Sequence, residues 1–214
     1  MINRKYFNKE TGIYANGSQT AQALALYLKI VPKEKELLVA NKLHEAVLKT
    51  NYYFDFGLLG SKTVPAMLTK YGFVEDAFKM LTKVKVPSLG NWVTEKGYST
   101  LAETWKLSPE FHDASINHVF MGDISSWMTN NLAGINFDIS EPGFNHIIIH
   151  PYFVKELDWV KGEYNSVNGL IRSEWKRKKN KIILRVSIPA NTTETVYLDK
   201  VYFVKSGIHK FKFY

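Results

Sequence analysis

The spacing of apolar residues changes once along this chain, near residue 140, and that change limits the folds open to it. From residue 17 to about 135 the apolar residues recur at intervals of three and four, as the buried face of a helix requires. After Pro142 they recur at every second position in HIIIHPYF, GLIRSEWKR, KIILRVSI and ETVYLDKVYFV, which is typical of antiparallel strands. Helices followed by strands indicate two packed units, because alternating βαβ units would mix the two patterns.

The boundary between the two units is predicted within NFDISEPG, residues 136–143. The predicted domains therefore cover residues 1–140 and 141–214, and the predicted fold class is α+β. Connections within the helical part are short, so neighbouring helices are expected to form antiparallel hairpins.

Local signals predict where the helices begin and which face they bury. Ser18 is a predicted N-cap, because its hydroxyl precedes the run AQALALYLKIV. A further helix is expected to begin at Ser99, and a long one to cover SINHVFMGDISSWMTNNLAGI. In the run KEKELLVANKLHEAVLKT the spacing predicts a buried stripe of Leu37, Ala40, His44, Val47 and Leu48.

The alternation in the last third of the chain predicts which strand residues face the core. A strand places successive side chains on opposite faces, so a register error of one residue would turn each of them to solvent. The predicted inward set is Ile147, Ile149, Leu170, Trp175, Ile183 and Val186.

The chain is basic, with a formal net charge of +8 and a pI of about 9.4. Its densest basic stretch, KRKKNK at residues 176–181, lies between two alternating runs and contains Asn180. This position favours a solvated hairpin tip over a phosphate-binding patch, because no aromatic residue is interleaved to stack on bases. No nucleic-acid partner is therefore expected.

Several other classes find no support in the sequence. No run approaches the roughly 18 to 20 apolar residues of a membrane span, and MINRKYFNKE lacks the apolar region of a secretory signal. The absence of cysteine excludes disulfides and leaves the compartment open. No metal-binding, Walker or dinucleotide pattern occurs, so no metal or cofactor is expected. Ser125 and Ser126 lack the surroundings of a nucleophile elbow.

Five stretches share a likeness to one enzyme family and follow its order: YFNKETGIYANGSQTAQALAL, FDFGLLGSKTVPAML, VPSLGNWVTEKGYSTLAETW, SINHVFMGDISSWMTNNLAGI and the strands that begin at GFNHIIIHPYF. Together they resemble the α-L-rhamnosidases of glycoside hydrolase family 78. The resemblance implies the second half of a double-ringed (α/α)6 barrel followed by a β-sandwich. It also implies a rhamnose-containing glycoside as substrate. The chain departs from the family's motifs at Leu89, Ala102 and Thr104.

Glu103, in GYSTLAETW, matches the family's catalytic base. Hydrolysis with inversion needs two carboxyl groups roughly 6.5 to 9.5 Å apart, one to activate water and one to protonate the leaving oxygen. Without the resemblance, Glu103 would be read as a surface carboxylate near a helix N-terminus. The resemblance places the general acid in the first half of the barrel, ahead of this sequence, so we expect a truncated or interrupted product that is inactive or weakly active alone.

The resemblance also implies the sugar contacts. Asn117 and His118 match the family's Asn-His pair, whereas His118 read alone would be a helix cap satisfied by backbone. Trp92 and Trp105 could stack on a pyranose ring, with core packing as the alternative for either. Tyr52, Tyr53, Phe54 and Asp55 are a further candidate at the cavity mouth, and the remaining carboxylates, Glu95, Glu110, Asp113 and Asp123, are expected to be solvated.

Three functions stay open at this point. The chain could be the C-terminal part of an inverting α-L-rhamnosidase, a non-catalytic sugar-binding remnant, or a basic helical scaffold. The inner helix faces of half a barrel lack partners, so self-association or a complementary N-terminal half is expected.

Overall fold

The structure is a computed structural model that describes residues 1–105 and 114–214. The chain divides into two compact units, Met1–Ile124 and Ser125–Tyr214. The predictions for Glu110 and Asp113 lie outside the described residues.

The first unit consists of helices and one short strand pair. After α1 (Ile2–Tyr6), strands β1 (Phe7–Asn8) and β2 (Ile13–Tyr14) pair antiparallel. The helices that follow are α2 (Gln19–Tyr27), α3 (Glu36–Lys49), α4 (Leu58–Lys70), α5 (Val74–Leu81) and α6 (Leu89–Thr94), with a 3₁₀ turn at Lys33–Lys35.

Helix α2 begins where the sequence predicts it. The Ser18 hydroxyl accepts the backbone N–H of Ala21 at 3.3 Å, which confirms the N-cap. Gln19 is fully buried, and its amide donates to the carbonyl of Tyr53 at 3.0 Å. The Asp55 carboxylate in turn accepts the Gln19 backbone N–H at 3.1 Å, so the segment before α4 is fastened to the start of α2.

The buried face of α3 differs from the predicted one. Val39, Ala40, Leu43 and Val47 are buried, whereas Leu37 is 71% exposed and Leu48 is 44% exposed. Two of the predicted stripe, Ala40 and Val47, are therefore correct, and the two leucines are wrong. The run contains apolar residues on adjacent positions, so spacing alone leaves the rotation of the helix undetermined by about one residue.

The helices predicted from Ser99 and over the whole of SINHVFMGDISSWMTNNLAGI do not form as expected. Residues 99–105 contain no helix. The long run is divided into a 3₁₀ turn (Val119–Gly122), helix α7 (Asp123–Trp127) and a π-helical turn (Met128–Leu132). The cause is local, because backbone groups of residues 101–103 bond to residues 115–118 rather than within a helix.

The second unit is built on one six-stranded sheet. Its strands are β3 (Ile135–Phe137), β4 (His146–Ile149), β5 (Trp159–Ser166), β6 (Gly169–Lys178), β7 (Lys181–Tyr197) and β8 (Val201–Phe213). The order is β3-β4-β7-β6-β5, with β8 also paired to β7. Every pairing is antiparallel except that of β4 with β7. The predicted α+β class, helical hairpins followed by an antiparallel β domain, is confirmed.

Strand β7 belongs to two parts of the sheet. Its first half, to Ser187, pairs with β6, and its second half, Thr193 to Val196, pairs with β4. Strand β8 follows β7 along both halves, with an irregularity in the pairing between Ile188 and Thr193. The β7–β8 hairpin therefore joins the two halves of the sheet.

The β core confirms most of the predicted inward set. Ile147, Ile149, Trp175 and Val186 are buried. Leu170 and Ile183 were predicted inward wrongly, since the buried residues at these points are Ile171, Ile182 and Leu184. The run Ile182-Ile183-Leu184 is apolar throughout, so alternation cannot fix its register there.

The basic stretch KRKKNK forms the turn between β6 and β7, where Lys178 pairs with Lys181. Most of the stretch is exposed, as the hairpin-tip prediction requires. Arg177 differs, because its guanidinium donates to the carbonyls of Phe153 and Val154 at 3.2 and 3.1 Å.

One carboxylic acid lies in the apolar core of the β unit. Glu194 is 1% exposed and is flanked in the sheet by Ile147 of β4 and Val204 of β8. Within the described part of the chain neither of its carboxyl oxygens has a hydrogen-bond partner. Burial raises the pKa of Glu194 to about 8, so the group is largely protonated at neutral pH.

The boundary between the two compact units lies after Ile124, before the change in the spacing of apolar residues at residues 136–143. The residues between are held by the sheet: Trp175 Nε1 donates to the carbonyl of Leu132 at 2.8 Å, and Ser173 Oγ donates to that of Ala133 at 2.6 Å. Helical and irregular residues just before β3 are therefore part of the β unit.

Candidate functional site

The candidate site is built on two chain segments that run side by side. His118 donates its backbone N–H to the carbonyl of Leu101 at 2.8 Å, and Glu103 donates its own to the carbonyl of Ser115 at 2.8 Å. The Thr100 hydroxyl bonds to the carbonyl of Ile116 at 2.5 Å. This pairing brings the predicted base and the predicted Asn-His pair onto adjacent backbones, although they are distant in sequence.

Glu103 is half-buried and is held through one carboxylate oxygen. Its Oε2 accepts the backbone N–H of Ser115 at 3.1 Å. Within the described residues no hydrogen bond involves Oε1. The preceding Ala102 is fully buried in a small cluster with Trp92 and Met121, so Glu103 lies where an apolar cluster meets a partly exposed surface.

The two predicted tryptophans pack on each other. Their rings are stacked at 4.7 Å between centroids with an interplanar angle of 19°. Trp92 is 2% exposed, so core packing, the alternative given by the sequence, describes its place. Trp105 is half-buried, and its indole N–H donates to the carbonyl of Phe56. Trp92 therefore supports the ring of Trp105 from the core side.

His118 caps the 3₁₀ turn that follows it. Its Nδ1 accepts the backbone N–H of Phe120 at 3.4 Å, which corresponds to the capping alternative from the sequence. A ring nitrogen that accepts a hydrogen bond is unprotonated, so in the neutral ring the proton is on Nε2. Nε2 makes no hydrogen bond among the described residues, and it remains a donor for a hydroxyl oxygen.

Asn117 lies on the same segment and is exposed. Its backbone N–H donates to the Ser115 hydroxyl at 3.1 Å, which fixes the chain between the two residues. The described part of the chain offers its side-chain amide no hydrogen-bond partner. A backbone that is held while the amide is open to solvent is compatible with recognition of a polar ligand.

Beside Trp105 lies an apolar cleft lined by Phe54, Phe56, Ser61, Pro65, Leu81, Leu89, Trp105, Met121 and Ile124. Its open volume is about 10 Å³, which is room for no more than one water molecule. The cleft is therefore too small to admit a sugar ring. We call the exposed and partly exposed residues Glu103, Trp105, Asn117 and His118 the rim.

Other sequence candidates lie away from this rim or have structural roles. Lys79 lies 3.7 Å from the ring centroid of Tyr52, and Lys83 lies 4.9 Å from that of Tyr53. Asp55 is fastened to α2, whereas Phe54 is buried against Trp105 at 4.9 Å.

The carboxylates without family support behave as ordinary surface groups where they are described. Glu95 is exposed, as expected. Asp123 is partly exposed and lies 3.5 Å from the Lys62 ammonium.

Sequence reasoning missed Ser115. Its backbone N–H donates to the Glu103 carboxylate, and its carbonyl accepts the Glu103 backbone N–H. No pattern of side chains in a sequence indicates a backbone contact of this kind. The weak signal available was its place immediately before the Ile-Asn-His stretch.

Among the described residues, no cluster of three or more histidine, aspartate or glutamate side chains could hold a metal ion. Across the same part of the chain, every helix is too short or too polar to cross a bilayer.

Two sequence profiles match the chain consecutively. The profile of the bacterial alpha-L-rhamnosidase 6 hairpin glycosidase domain matches residues 1–132. That of the bacterial alpha-L-rhamnosidase C-terminal domain matches residues 134–206.

Curated relatives match over most of this chain. An alpha-L-rhamnosidase from Streptomyces avermitilis is 26% identical over 189 residues, which are 85% of this chain and 18% of that protein. One from Formosa agariphila is 27% identical over 187 residues, 86% of this chain and 19% of that protein. The chain thus spans about a fifth of the length of these relatives.

Solved structures agree with the fold. The alpha-L-rhamnosidase from Dictyoglumus thermophilum superposes with a TM-score of 0.89 at 28% identity, over 98% of this chain and 27% of that one. The alpha-L-rhamnosidase from Aspergillus terreus superposes with a TM-score of 0.91 at 26% identity, over 98% of this chain and 25% of that one. The Streptomyces avermitilis enzyme, solved in complex with L-rhamnose, superposes with a TM-score of 0.91 at 24% identity, over 99% of this chain and 23% of that one. At this identity the similarity shows the fold alone.

Proposed function

Since the chain belongs to the bacterial α-L-rhamnosidases, with residues 1–132 matching their six-hairpin glycosidase domain and residues 134–206 their C-terminal domain, we propose that it supplies the base-bearing part of a site that hydrolyses α-L-rhamnosides with inversion. The observation that carries this proposal is the position of Glu103. Its carboxylate is fixed at one oxygen by Ser115 and lies on a segment paired with the one that bears His118.

Glu103 is proposed as the general base. In this reaction a water oxygen attacks the anomeric carbon as the bond to the leaving oxygen breaks. Glu103 takes one proton of that water, and a general acid gives a proton to the leaving oxygen, so the products are rhamnose and a free hydroxyl compound. The Ser115 N–H orients Oε2, which leaves Oε1 for the water.

The neighbouring residues are proposed to hold the sugar. The Nε2 proton of His118, directed by the bond of Nδ1 to Phe120, would donate to a sugar hydroxyl. Asn117 offers an exposed amide beside it. Trp105 offers an aromatic surface to the CH groups of the ring, and Trp92 acts behind it as a positioning residue.

The general acid is proposed to come from another part of the six-hairpin barrel. The chain spans about a fifth of the length of its curated relatives, and the family resemblance puts the acid in the first half of the barrel. On this proposal the chain works with a complementary set of helices. Alone it should hydrolyse rhamnosides of alkyl or sugar alcohols more slowly by a factor of at least about 10² to 10⁴, because the leaving oxygen of these substrates needs the proton that the general acid supplies.

The test compares Glu103→Gln with Glu95→Gln, an exposed carboxylate that serves as the matched control. Hydrolysis of methyl α-L-rhamnoside, whose leaving oxygen must be protonated, is measured for the chain alone and after mixing with a separately produced first half of a six-hairpin barrel. We expect the mixture to exceed the chain alone by at least about 10²-fold, and this activity to be lost in Glu103→Gln and retained in Glu95→Gln. Full activity of the chain alone would contradict the divided site, and Glu95, Glu110 and Asp113 would then be examined as acids.

A second candidate, non-catalytic binding of a rhamnose-containing glycan, is favoured by the Trp92–Trp105 stack, which does not depend on Glu103. Saturable rhamnose binding with no turnover in any mixture would support it. Loss of that binding in His118→Ala, with retention in Glu103→Gln, would place the sugar on the same rim.

A further inference from the structure

The sheet face turned away from the β core carries a concentration of positive charge. Its exposed cations include Lys161, Arg172, Lys176, Lys178, Arg185 and Lys210, and we call this surface the basic face. Only two carboxylates of the described strands, Glu163 and Glu174, lie among them. The surplus on this one face therefore accounts for much of the net charge of +8.

Strand register places these side chains on one surface. Lys161 pairs with Glu174, Glu174 with Arg185, and Arg185 with Lys210, which makes one row across β5, β6, β7 and β8. Paired residues share a face, and the alternate residues Ser173 and Val186 are fully buried on the other. The basic face is thus an ordered, four-stranded platform.

The carboxylates neutralise only one side of the platform. Glu163 Oε1 lies 2.9 Å from Lys161 Nζ and 3.0 Å from Arg172 Nε, and Glu174 lies 2.8 Å from Lys176. Hydrogen bonds from these lysines lower the pKa of both carboxyl groups. Arg185 lies opposite Glu174 in register, and its charge also lowers the pKa of that carboxyl. Within the described chain neither Arg185 nor Lys210 is close enough to a carboxylate to form an ion pair, so the β7–β8 side keeps a surplus of positive charge.

The shape of the platform suits an extended ligand. Two shallow depressions of about 180 and 330 Å³ lie side by side and share Glu174 and Arg185 in their walls. At the β5 edge Trp159 is 62% exposed, and it pairs in register with Lys176 of the same face. An exposed indole next to cations can contact a sugar ring while the cations bind acidic groups.

We propose that the basic face binds an anionic polysaccharide, one that carries carboxylate or sulfate groups along a linear chain. This inference rests on the proposed function, because it treats the β unit as a holding surface for the polymer whose rhamnosyl groups the helical unit would meet. Charge complementarity carries it: Arg185 lines both depressions and Lys210 lines one, and the cations of the face outnumber its two carboxylates.

Nucleic acid fits the same surface less well. Bases are held by aromatic residues interleaved along a groove, whereas Trp159 lies at one edge.

The test is a binding measurement that needs no hydrolysis. Polygalacturonate, a sulfated galactan, a neutral galactan and a single-stranded RNA oligonucleotide are titrated into the whole chain by calorimetry at two salt concentrations. The variant Arg185→Gln/Lys210→Gln is compared with Lys9→Gln/Lys49→Gln, which removes the same charge from exposed positions of the helical unit. Arg185→Lys/Lys210→Arg keeps the charge and shows whether substitution itself disturbs the sheet.

One or both acidic polysaccharides should bind, and the neutral galactan should not. The face variant should weaken that binding by about fivefold or more and reduce its salt dependence, with the control pair and the charge-keeping variant unchanged. Equal weakening by the control pair, tighter binding of the RNA, or no binding of either acidic polymer would overturn the proposal. Because this test measures binding and not hydrolysis, its result can be interpreted even if the chain shows no rhamnosidase activity.

Discussion

Glu103 and Ser115 bond to each other twice: the Ser115 N–H donates to Oε2 of Glu103 at 3.1 Å, and the Glu103 N–H donates to the carbonyl of Ser115 at 2.8 Å. The first bond orients a side chain and the second aligns two backbones. A carboxylate held in this way loses little further freedom when a ligand arrives, which is the condition for a preorganised base.

Replacement of Ser115 by proline removes the N–H that holds the carboxylate. We expect Ser115→Pro to reduce the activity of the reconstituted site about as strongly as Glu103→Gln, and to destabilise the helical unit by about 1–3 kcal/mol through the unsatisfied carboxylate. Ser115→Ala keeps the N–H and is the matched control. Equal loss in both variants would assign the effect to the hydroxyl, which accepts the Asn117 N–H.

Substitutions of Trp92 and Trp105 should affect stability and rhamnose binding differently. Trp92→Ala empties a buried site and should cost about 3–5 kcal/mol in the free energy of unfolding. Trp105→Phe keeps an aromatic ring but removes the indole bond to Phe56, and should cost about 1 kcal/mol while it weakens rhamnose binding. Urea unfolding followed by far-ultraviolet circular dichroism gives both values. A small loss in Trp92→Ala would show that its ring does not support the cluster.

Stability of the β unit should fall as the pH rises, because of Glu194. Its pKa is raised from 4.5 to about 8 in the folded state, so the folded chain binds a proton that the unfolded chain has lost. This contribution is fully present below pH 4.5 and declines by about 1.4 kcal/mol per pH unit until about pH 8, where the folded group also ionises.

Glu194→Gln keeps the size of the side chain and cannot ionise. Its free energy of unfolding, measured in urea from pH 5 to 8, should lack this slope and exceed that of the unsubstituted chain at pH 8. Exposed Glu156→Gln is the control. The same slope in Glu194→Gln would mean that another group is responsible.

The register of β7 can be tested with two neighbouring isoleucines. Ile182 is buried and Ile183 is partly exposed on the opposite face. Ile182→Ala should cost about 2–5 kcal/mol and Ile183→Ala less than about 1 kcal/mol in thermal or urea unfolding. A larger loss of stability in Ile183→Ala than in Ile182→Ala would support the register predicted from the sequence.

Apolar side chains near the site favour association. Leu59, Val119 and Phe120 are 62%, 80% and 56% exposed. We expect the chain to self-associate at micromolar concentration, and Val119→Lys/Phe120→Lys to shift it toward monomer in light scattering. Val167→Lys, which alters an equally exposed valine of the β unit, is the control. A monomer at all concentrations would remove this support for a partner at the rim.

The sequence predicted most where one physical rule acted alone. The apolar period predicted helices followed by strands, and the hydroxyl of Ser18 predicted the start of α2. Prediction failed where two arrangements satisfied the pattern equally, as for the rotation of α3 and the register at Ile183. It also failed from Ser99 onward, because the competing structure is held by backbone bonds between segments, which residue identity does not encode.

Prediction of the candidate site from the sequence was limited in the same way. Glu103 and His118 could be named from the resemblance, but their approach depends on the pairing of residues 101–103 with 115–118. Trp92 and Trp105 were indistinguishable in sequence. Trp92 lies inside the buried cluster with Ala102 and Met121, whereas Trp105 packs against the outside of that cluster.

The parallel pairing of β4 with the second half of β7 affects the order in which the β unit can assemble during synthesis. When β4 leaves the ribosome, the residues that complete its pairing, Thr193 to Val196, have not yet been made. Before that part of β7 is made, β5 and β6 can pair with each other as they emerge, whereas β4 has only β3 beside it and keeps one edge open. Pairing across so long a loop forms slowly, so the apolar strand HIII presents an unpaired edge for longer than the strands of the β5–β6 hairpin do.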